Sequence, residues 1–402
     1  MPVSITAGRP AIGLESSPLP RSRAAFIRPR YHREVKRVAI HLPPQPDRSY
    51  EAVIESGVLQ RAGEHIAATL PEQKRCFVVT SPPVRKHWGE PLTQSLAAAG
   101  IDSRMLEMGD GERHKNLDAI SSLAKRMVEQ GADRGSLAIA LGGGVVGDVT
   151  GLLASLYMRG IDYIQVPTTL LAQVDASVGG KTGVNLAAGK NLLGTYHHPR
   201  LVLSDPETLA TLPDREFRSG LYEALKCGAV GSAELFGYME EHRERILARE
   251  PEALGFVIGE CVRIKAEVVA ADEREGDQRR ILNFGHTIGH ALEAETGYKH
   301  FLHGEAVAWG MVAASLISSG MQRSDPESAR RLISVVLAYA PLPRVDVKAK
   351  RIAKRLQADK KTRNGVVHFV LPAELGRVDV VADVPERAVM QAIEELRYLS
   401  QA

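Results

Sequence analysis

Cysteine is nearly absent: Cys76, Cys227 and Cys261 are the three in 402 residues. They cannot all pair and show no C-x-x-C spacing, which excludes a disulfide framework and reads as reduced thiols in a cytoplasmic protein. Long apolar runs are missing, and none reaches the roughly 20 residues of a membrane-spanning helix. Charge has no strong bias: the net is +3, so there is no global case for nucleic-acid binding. No internal repeat is visible. Two phosphate fingerprints are absent as well. The glycine run at 142–144 is not G-x-G-x-x-G, so the standard Rossmann signature is lacking. Asp175 stands where G-x-x-x-x-G-K-[ST] requires its first glycine, which disfavours nucleotide triphosphate hydrolysis.

What is present is ordinary soluble composition, 44% hydrophobic and 25% charged, on a chain long enough for two or more domains. The first 36 residues stand apart. Arg9, Arg21, Arg23, Arg28, Arg30, Arg33 and Lys36 face two acids, Glu15 and Glu34. The composition is like that of an organellar transit peptide, but Pro2, Pro10, Pro18, Pro20 and Pro29 would break the amphipathic helix such a peptide needs. A disordered basic extension is expected over 1–36.

From there strands and helices alternate. Strands are expected at 37–42, 75–80, 103–108, 136–141, 163–166 and 201–204, with helices at 93–99, 116–130 and 145–157 between them. That alternation indicates a mainly parallel α/β layer. After about Leu212 the pattern turns helical, at 215–231, 234–248, 251–271, 283–296, 304–319 and 327–338. Two short strands, 366–372 and 377–381, and a helix at 385–398 close the chain. The expected partition is an α/β domain over 37–212 and a mainly α-helical domain over 213–402.

Chemistry-bearing residues fall on both sides of that join. Leu141-Gly-Gly-Gly144 ends a strand and opens a helix, so backbone N–H groups can approach a pyrophosphate. Asp110–Lys115 follows a strand that could face the same crevice. Between Tyr163 and Pro199 hydroxyls, Asp175, Lys181 and Lys190 crowd into glycine-rich loops suited to phosphate or carboxylate. Glu223 and Lys226 share a helical face. His286 and His290, four apart on a helix, are followed by His303-Gly-Glu305, and grouped imidazoles are what a divalent metal needs. Taken alone, each has a bland alternative as a turn, a solvated loop, an ion pair or a polar helix face.

In order along the chain these motifs are L-G-G-G-V-V-G-D, Y-M-R-G, V-P-T-T-L-L-A-Q-V-D-A-S-V-G-G-K-T-G, G-K-N, Y-E-A-L-K, D-E-R-E-G, N-F-G-H-T-I-G-H and L-H-G-E. The set resembles the sugar-phosphate cyclase family, in its 3-dehydroquinate synthase branch, over roughly residues 37–385. The resemblance implies that the α/β domain binds NAD and that the helical domain holds metal and substrate in a cleft between them. It implies a divalent metal, zinc or cobalt, on Glu223, His286 and His303, with His290 turned to substrate. NAD positions would be Glu112, Lys115, Gly142, Gly143, Gly144, Asp148, Thr168, Thr169, Lys181, Lys190 and Thr211. The substrate pocket would take Arg159, Asp175, Lys181, Lys190, Asn191, Lys226, Lys265, Arg279, Asn283, His290 and Lys360, with Lys361 as the rival for that last place. Catalytic roles would fall to Lys181, Lys190, Lys226, Asn283, His290 and Glu275.

The implied reaction is transient oxidation of a seven-carbon keto-sugar acid phosphate, phosphate elimination, re-reduction, ring opening and aldol closure. The implied assembly is a homodimer without nucleic-acid or membrane partners. Rival readings are a sister cyclase acting on an aminated or cyclitol-forming substrate, and a metal-dependent NAD alcohol dehydrogenase, which would not need so many anion-binding lysines. A non-enzymatic binding module leaves the metal ligands and the dinucleotide loop without purpose.

Overall fold

Continuous apolar runs along short strands build a sheet covered on both faces. The computed structural model describes residues 48–276, 278–362, 367–382 and 384–401. The strand expected at 37–42 and the basic extension lie outside the described residues. Eight strands come first: β1 (Glu51–Ile54), β2 (Arg75–Thr80), β3 (Asp102–Glu107), β4 (Leu137–Gly142), β5 (Tyr163–Pro167), β6 (Lys181–Leu186), β7 (Gly189–Tyr196) and β8 (Leu201–Ser204). Six of them form one sheet in the order β1-β8-β5-β4-β2-β3, every pairing parallel. Phe77, Val79, Ala138 and Ala140 face the helices Leu117–Glu129 and Gly144–Leu156. Their neighbours Cys76, Val78, Leu137 and Ile139 point the other way, onto Leu59, Ile66, Leu92 and Leu96. Burial on both faces is what parallel strands require.

The strand order places the first candidate site. From β2 the chain steps outward to β3, and from β4 it steps to β5 on the opposite side. The crevice beyond the carboxyl ends of β2 and β4 is therefore the point where strand order reverses, and the Gly142–Gly144 turn lies there. The helix it opens has no side-chain cap at Gly143, so its first amides remain open to a ligand.

Helices dominate beyond Pro213. Asp214–Gly231 begins with Asp214 and Glu216 in the first turn, where carboxylates favour the helix dipole. Pro251–Ala271, His286–Glu295, His303–Gly320, Pro326–Ala338, Ala349–Thr362 and Glu386–Leu399 follow, with β9 (His368–Glu374) and β10 (Arg377–Ala382) as an antiparallel pair. The segment expected as one helix at 234–248 is two, Ala233–Glu241 and Arg243–Leu247, parted at His242. The helix expected from Asn283 starts at His286, because Gly285 at φ 78° turns the backbone first.

One region departs further from expectation. The glycine-rich stretch after Gly180 is an antiparallel hairpin, β6 against β7, and not a loop. Gly183 and Gly194 are directly paired, and a Cβ on Gly194 would overlap the Thr182 carbonyl. Missing side chains here allow close strand approach.

Candidate metal and substrate site

Three helical segments bring Glu223, His286 and His303 together. Glu223 sits midway along Asp214–Gly231 and is 1% exposed. Its Oε1 lies 3.4 Å from His303 Nε2 and 3.7 Å from His286 Nε2. The other nitrogen of each ring already has an acceptor. His286 Nδ1 is 3.1 Å from the Phe284 carbonyl, and His303 Nδ1 is 3.3 Å from Glu293 Oε2. Those partners assign the ring protons to Nδ1, so both Nε2 lone pairs face the Glu223 oxygen. With both rings neutral, three acceptors converge with no proton between them. Lys226 Nζ is 2.6 Å from Glu223 Oε2, yet neither carboxylate oxygen accepts a well-directed hydrogen bond. An ionised carboxylate buried without directed partners costs on the order of several kcal/mol. A cation at the convergence point removes that cost, so the residues fit a divalent metal with N, N and O ligands.

His290 adjoins the two histidines. Nitrogens of His286, His290 and His303 lie within 4.8 Å of one another, and the His286 and His290 ring centroids are 5.2 Å apart. His290 is exposed, whereas His286 is half-buried. Burial first, then Lys226 and the neighbouring imidazoles, outweighs Glu223 and drives His286 down to about 3, so its ring is neutral and ready to bind metal. His303 shifts the other way: burial opposes its charge, but Glu293 and Glu223 outweigh it and hold the ring above its ordinary value.

Beside this cluster lie buried cations. Lys265, 5% exposed, donates to Asp175 Oδ1 at 2.7 Å and to the Asp175 carbonyl at 2.5 Å. Burial would raise the Asp175 carboxyl, but Lys265 and Lys226 outweigh it and hold it well below the usual range. Burial opposes the Lys226 charge too, and Glu223 with Asp175 overcomes it, keeping the ammonium charged. Lys265 goes the other way, pulled below its ordinary value by burial despite Asp175. On β6 Lys181 pairs with Glu275, which also accepts from Asn283 Nδ2 at 3.4 Å. On β7 Lys190 Nζ is 3.6 Å from Glu293 Oε1. The hairpin thus reaches the helical half through both lysines. Arg279, 3% exposed, is held by the Glu273 carbonyl at 2.7 Å.

At the strand-order reversal Lys115, 5% exposed, joins Asp148 and Asn191, each at 2.5 Å. Asn191, expected in the substrate pocket, is therefore tied to the cofactor-side group. Glu112 accepts from Asn185 at 2.7 Å. A Cβ on Gly143 would come 2.8 Å from Thr169 Cγ2, and one on Gly142 2.7 Å from Val146 Cβ. The Thr168 hydroxyl beside this turn is buried without a partner, and Thr168 N donates to the Gly142 carbonyl at 3.0 Å. Open helix amides plus an orphaned hydroxyl fit a dinucleotide phosphate. Thr211, expected here, has its hydroxyl bonded by Trp88 Nε1 at 2.9 Å. Arg159 is exposed at φ 75° and makes no hydrogen bond or ion pair among the described residues. Lys360 and Lys361 end the Ala349–Thr362 helix, with side chains outside the described residues.

Glu293 was missed by the sequence reading. Its signal was an acid three residues past His290, inside Ala291-Leu-Glu-Ala294.

Residues 105–219 match the family model of the 3-dehydroquinate synthase N-terminal region, and residues 220–362 that of the C-terminal region. A 3-dehydroquinate synthase of Koribacter versatilis is 60% identical over 353 residues, covering 88% of this chain and 96% of that one. The structure of ValA, a 2-epi-5-epi-valiolone synthase from Streptomyces hygroscopicus with NAD+ and Zn2+ bound, superposes with a TM-score of 0.80 at 31% identity, covering 90% of this chain and 100% of the other. A 2-deoxy-scyllo-inosose synthase complexed with carbaglucose-6-phosphate, NAD+ and Co2+ follows at TM-score 0.77 and 26% identity, covering 87% and 97%.

Proposed function

The chain belongs to the 3-dehydroquinate synthase family, and from that premise we propose how its residues divide the work of the reaction. It is a carbon–oxygen lyase that converts 3-deoxy-D-arabino-heptulosonate 7-phosphate to 3-dehydroquinate and phosphate, a step of the shikimate pathway toward aromatic amino acids. The observation that carries this reading is the buried Glu223 carboxylate, ion-paired to Lys226 through Oε2 and facing two imidazole nitrogens through Oε1, with Lys265 buried nearby. Such a site takes a cation and an anion together.

Glu223, His286 and His303 would hold the metal, zinc by the chemistry of the donor set, and it would supply Lewis acidity to the hydroxyl being oxidised. The Gly142–Gly144 turn, Thr168, Thr169, Asp148 and Lys115 would hold NAD, which takes up and returns one hydride per turnover. The protein's own groups do the rest. Lys181 and Lys190 hold the anionic ends of the substrate from the hairpin, and Arg279 and Lys265 hold it from the helical side. Asn283 and His290 contact its hydroxyls, with His290, the exposed imidazole, moving protons. Glu275 keeps Lys181 in place. Lys226 keeps the metal carboxylate ionised. Elimination breaks the C–O bond to phosphate, and the departing phosphate takes the proton from the neighbouring carbon. Burial of the cluster keeps water from competing.

Two further assignments follow. The chain acts as a homodimer, a reading supported by exposed Leu186, Leu192 and Leu193 on the hairpin and Leu156 and Met158 on the adjoining helix end. It works in the cytoplasm, supported by three buried, unpaired cysteines. Among the described residues no helix is long and apolar enough to cross a membrane.

Incubation with the heptulosonate phosphate, NAD+ and a divalent metal tests the reaction. Phosphate and dehydroquinate should appear in equal amounts without accumulation of NADH. Absence of phosphate release overturns the assignment, and net NADH favours a dehydrogenase.

A further inference from the structure

One buried carboxylate beside the cluster has no part in the scheme above. Glu293 is 4% exposed and lies on the same helix as His286 and His290. Its two oxygens serve different partners. Oε2 is 3.3 Å from His303 Nδ1, and Oε1 is 3.6 Å from Lys190 Nζ. The Lys190 ammonium also lies 4.3 Å from the centroid of the Tyr298 ring, and Tyr298 N–H donates to the Glu293 carbonyl at 2.7 Å. Glu293 therefore joins an imidazole of the helical half to a lysine of the β6–β7 hairpin.

A neutral imidazole carries one N–H. A carboxylate at Nδ1 draws the proton there and leaves Nε2 free. Without it the proton can sit on Nε2, where it blocks ligation, and the ring loses the contact that fixes its plane. Lys190 has a second relation to the same carboxylate. Its side chain is 38% exposed, so its flexible stem can follow a stronger anion. A phosphate dianion outcompetes a carboxylate already shared with His303.

We propose that Glu293 is a positioning residue that sets the tautomer and orientation of His303 toward the metal and parks Lys190 beside it until an anionic group of the substrate draws the lysine away. The inference rests on the metal reading of Glu223, His286 and His303. Once Lys190 leaves, the carboxylate has the imidazole alone, and the His303 hydrogen bond tightens. Anion binding and metal binding then reinforce each other through one side chain, and by linkage the effect is reciprocal.

Zinc affinity of the full-length protein, measured by chelator competition with and without inorganic phosphate, tests this in wild type, Glu293→Gln, Glu293→Ala and Glu223→Ala. Glu293→Ala should bind zinc about 10- to 100-fold more weakly. Its Co2+-substituted absorption spectrum should shift, which a distant packing defect does not produce. Glu293→Gln keeps an acceptor for His303 but no charge for Lys190. It should stay within about 3-fold of wild type in zinc affinity while losing the tightening by phosphate that wild type shows. Wild-type affinity and spectrum in Glu293→Ala overturn the positioning role. Equal phosphate tightening in Glu293→Gln and wild type overturns the coupling, and this variant decides if Glu293→Ala does not fold. Zinc binding that survives in Glu223→Ala overturns the underlying metal site whatever the Glu293 variants show, whereas zinc lost in Glu223→Ala but bound as in wild type by Glu293→Ala overturns the positioning role alone.

Discussion

At the Gly142–Gly144 turn the chain makes room by omission; around Glu223 it fills the space with charge. The first region offers backbone amides and an orphaned hydroxyl at the turn itself, with one largely buried ion pair, Lys115 and Asp148, beside it. The second packs Glu223, Lys226, Lys265 and Arg279 at 1–5% exposure. A pyrophosphate needs close approach of the backbone, which any side chain would prevent. A metal and a small polyanion need fixed charges in a dry place, where each charge is tolerated because the next one compensates it. The contrast teaches that the two regions can be tuned separately. Mutations on one side should leave binding on the other nearly intact.

The sharpest break of that contrast is Glu223→Ala. Activity should fall by about 1,000-fold or more, with bound metal lost on elemental analysis, while NAD binding by fluorescence quenching stays near wild type. Loss of both would show that the two regions are one. Gly143→Val is the converse. Its side chain would collide with Thr169, so NAD affinity should drop by roughly 100-fold while zinc content stays unchanged.

Asp175→Asn probes compensation. It leaves Lys265 and Lys226 buried with one anion fewer, and denaturant unfolding should show a loss of roughly 2–4 kcal/mol. A fully stable variant would mean that the lysines do not depend on Asp175. The smallest effect concerns pH. Metal competes with protons for imidazole, and His303 stands above its ordinary value whereas His286 stands below. Metal retention should therefore weaken on acidification from about pH 8 to about pH 5, through His303. Retention flat across that range would falsify the assignment of His303 as the ligand that protonates first.

Sequence patterning served best where one periodicity ran uninterrupted. Strands Arg75–Thr80 and Leu201–Ser204 and the helix Pro251–Ala271 lie where expected to the residue. Glu51–Ile54 escaped because it is exposed at Glu51 and only partly buried beyond, unlike the fully buried Leu201–Ser204, and its partner β8 is some 150 residues away. The Ala349–Thr362 helix escaped because its lysines and arginines masked Ile352 and Ala353, which are 0% and 4% exposed. The hairpin escaped because its glycines read as loop, although strand approach is their use. In the site, residue types and spacing pointed to the histidines and lysines. They could not show that Lys190 reaches Glu293, or that Asn191 sides with Lys115, since both contacts depend on where the hairpin folds back.

Glycine contacts pin the segments that bear the three candidate ligands. A Cβ on Gly304 would overlap the Ser219 carbonyl, and one on Gly310 the Gly285 carbonyl. Ser219 lies one turn before Glu223, Gly285 directly precedes His286, and Gly304 directly follows His303. The cage is thus mounted on backbones in mutual contact, with almost no slack. Under the proposed metal assignment, such a mount would select ions by radius as well as by ligand type. Changing its preferred metal would take loosening these glycine mounts as much as exchanging the ligands themselves.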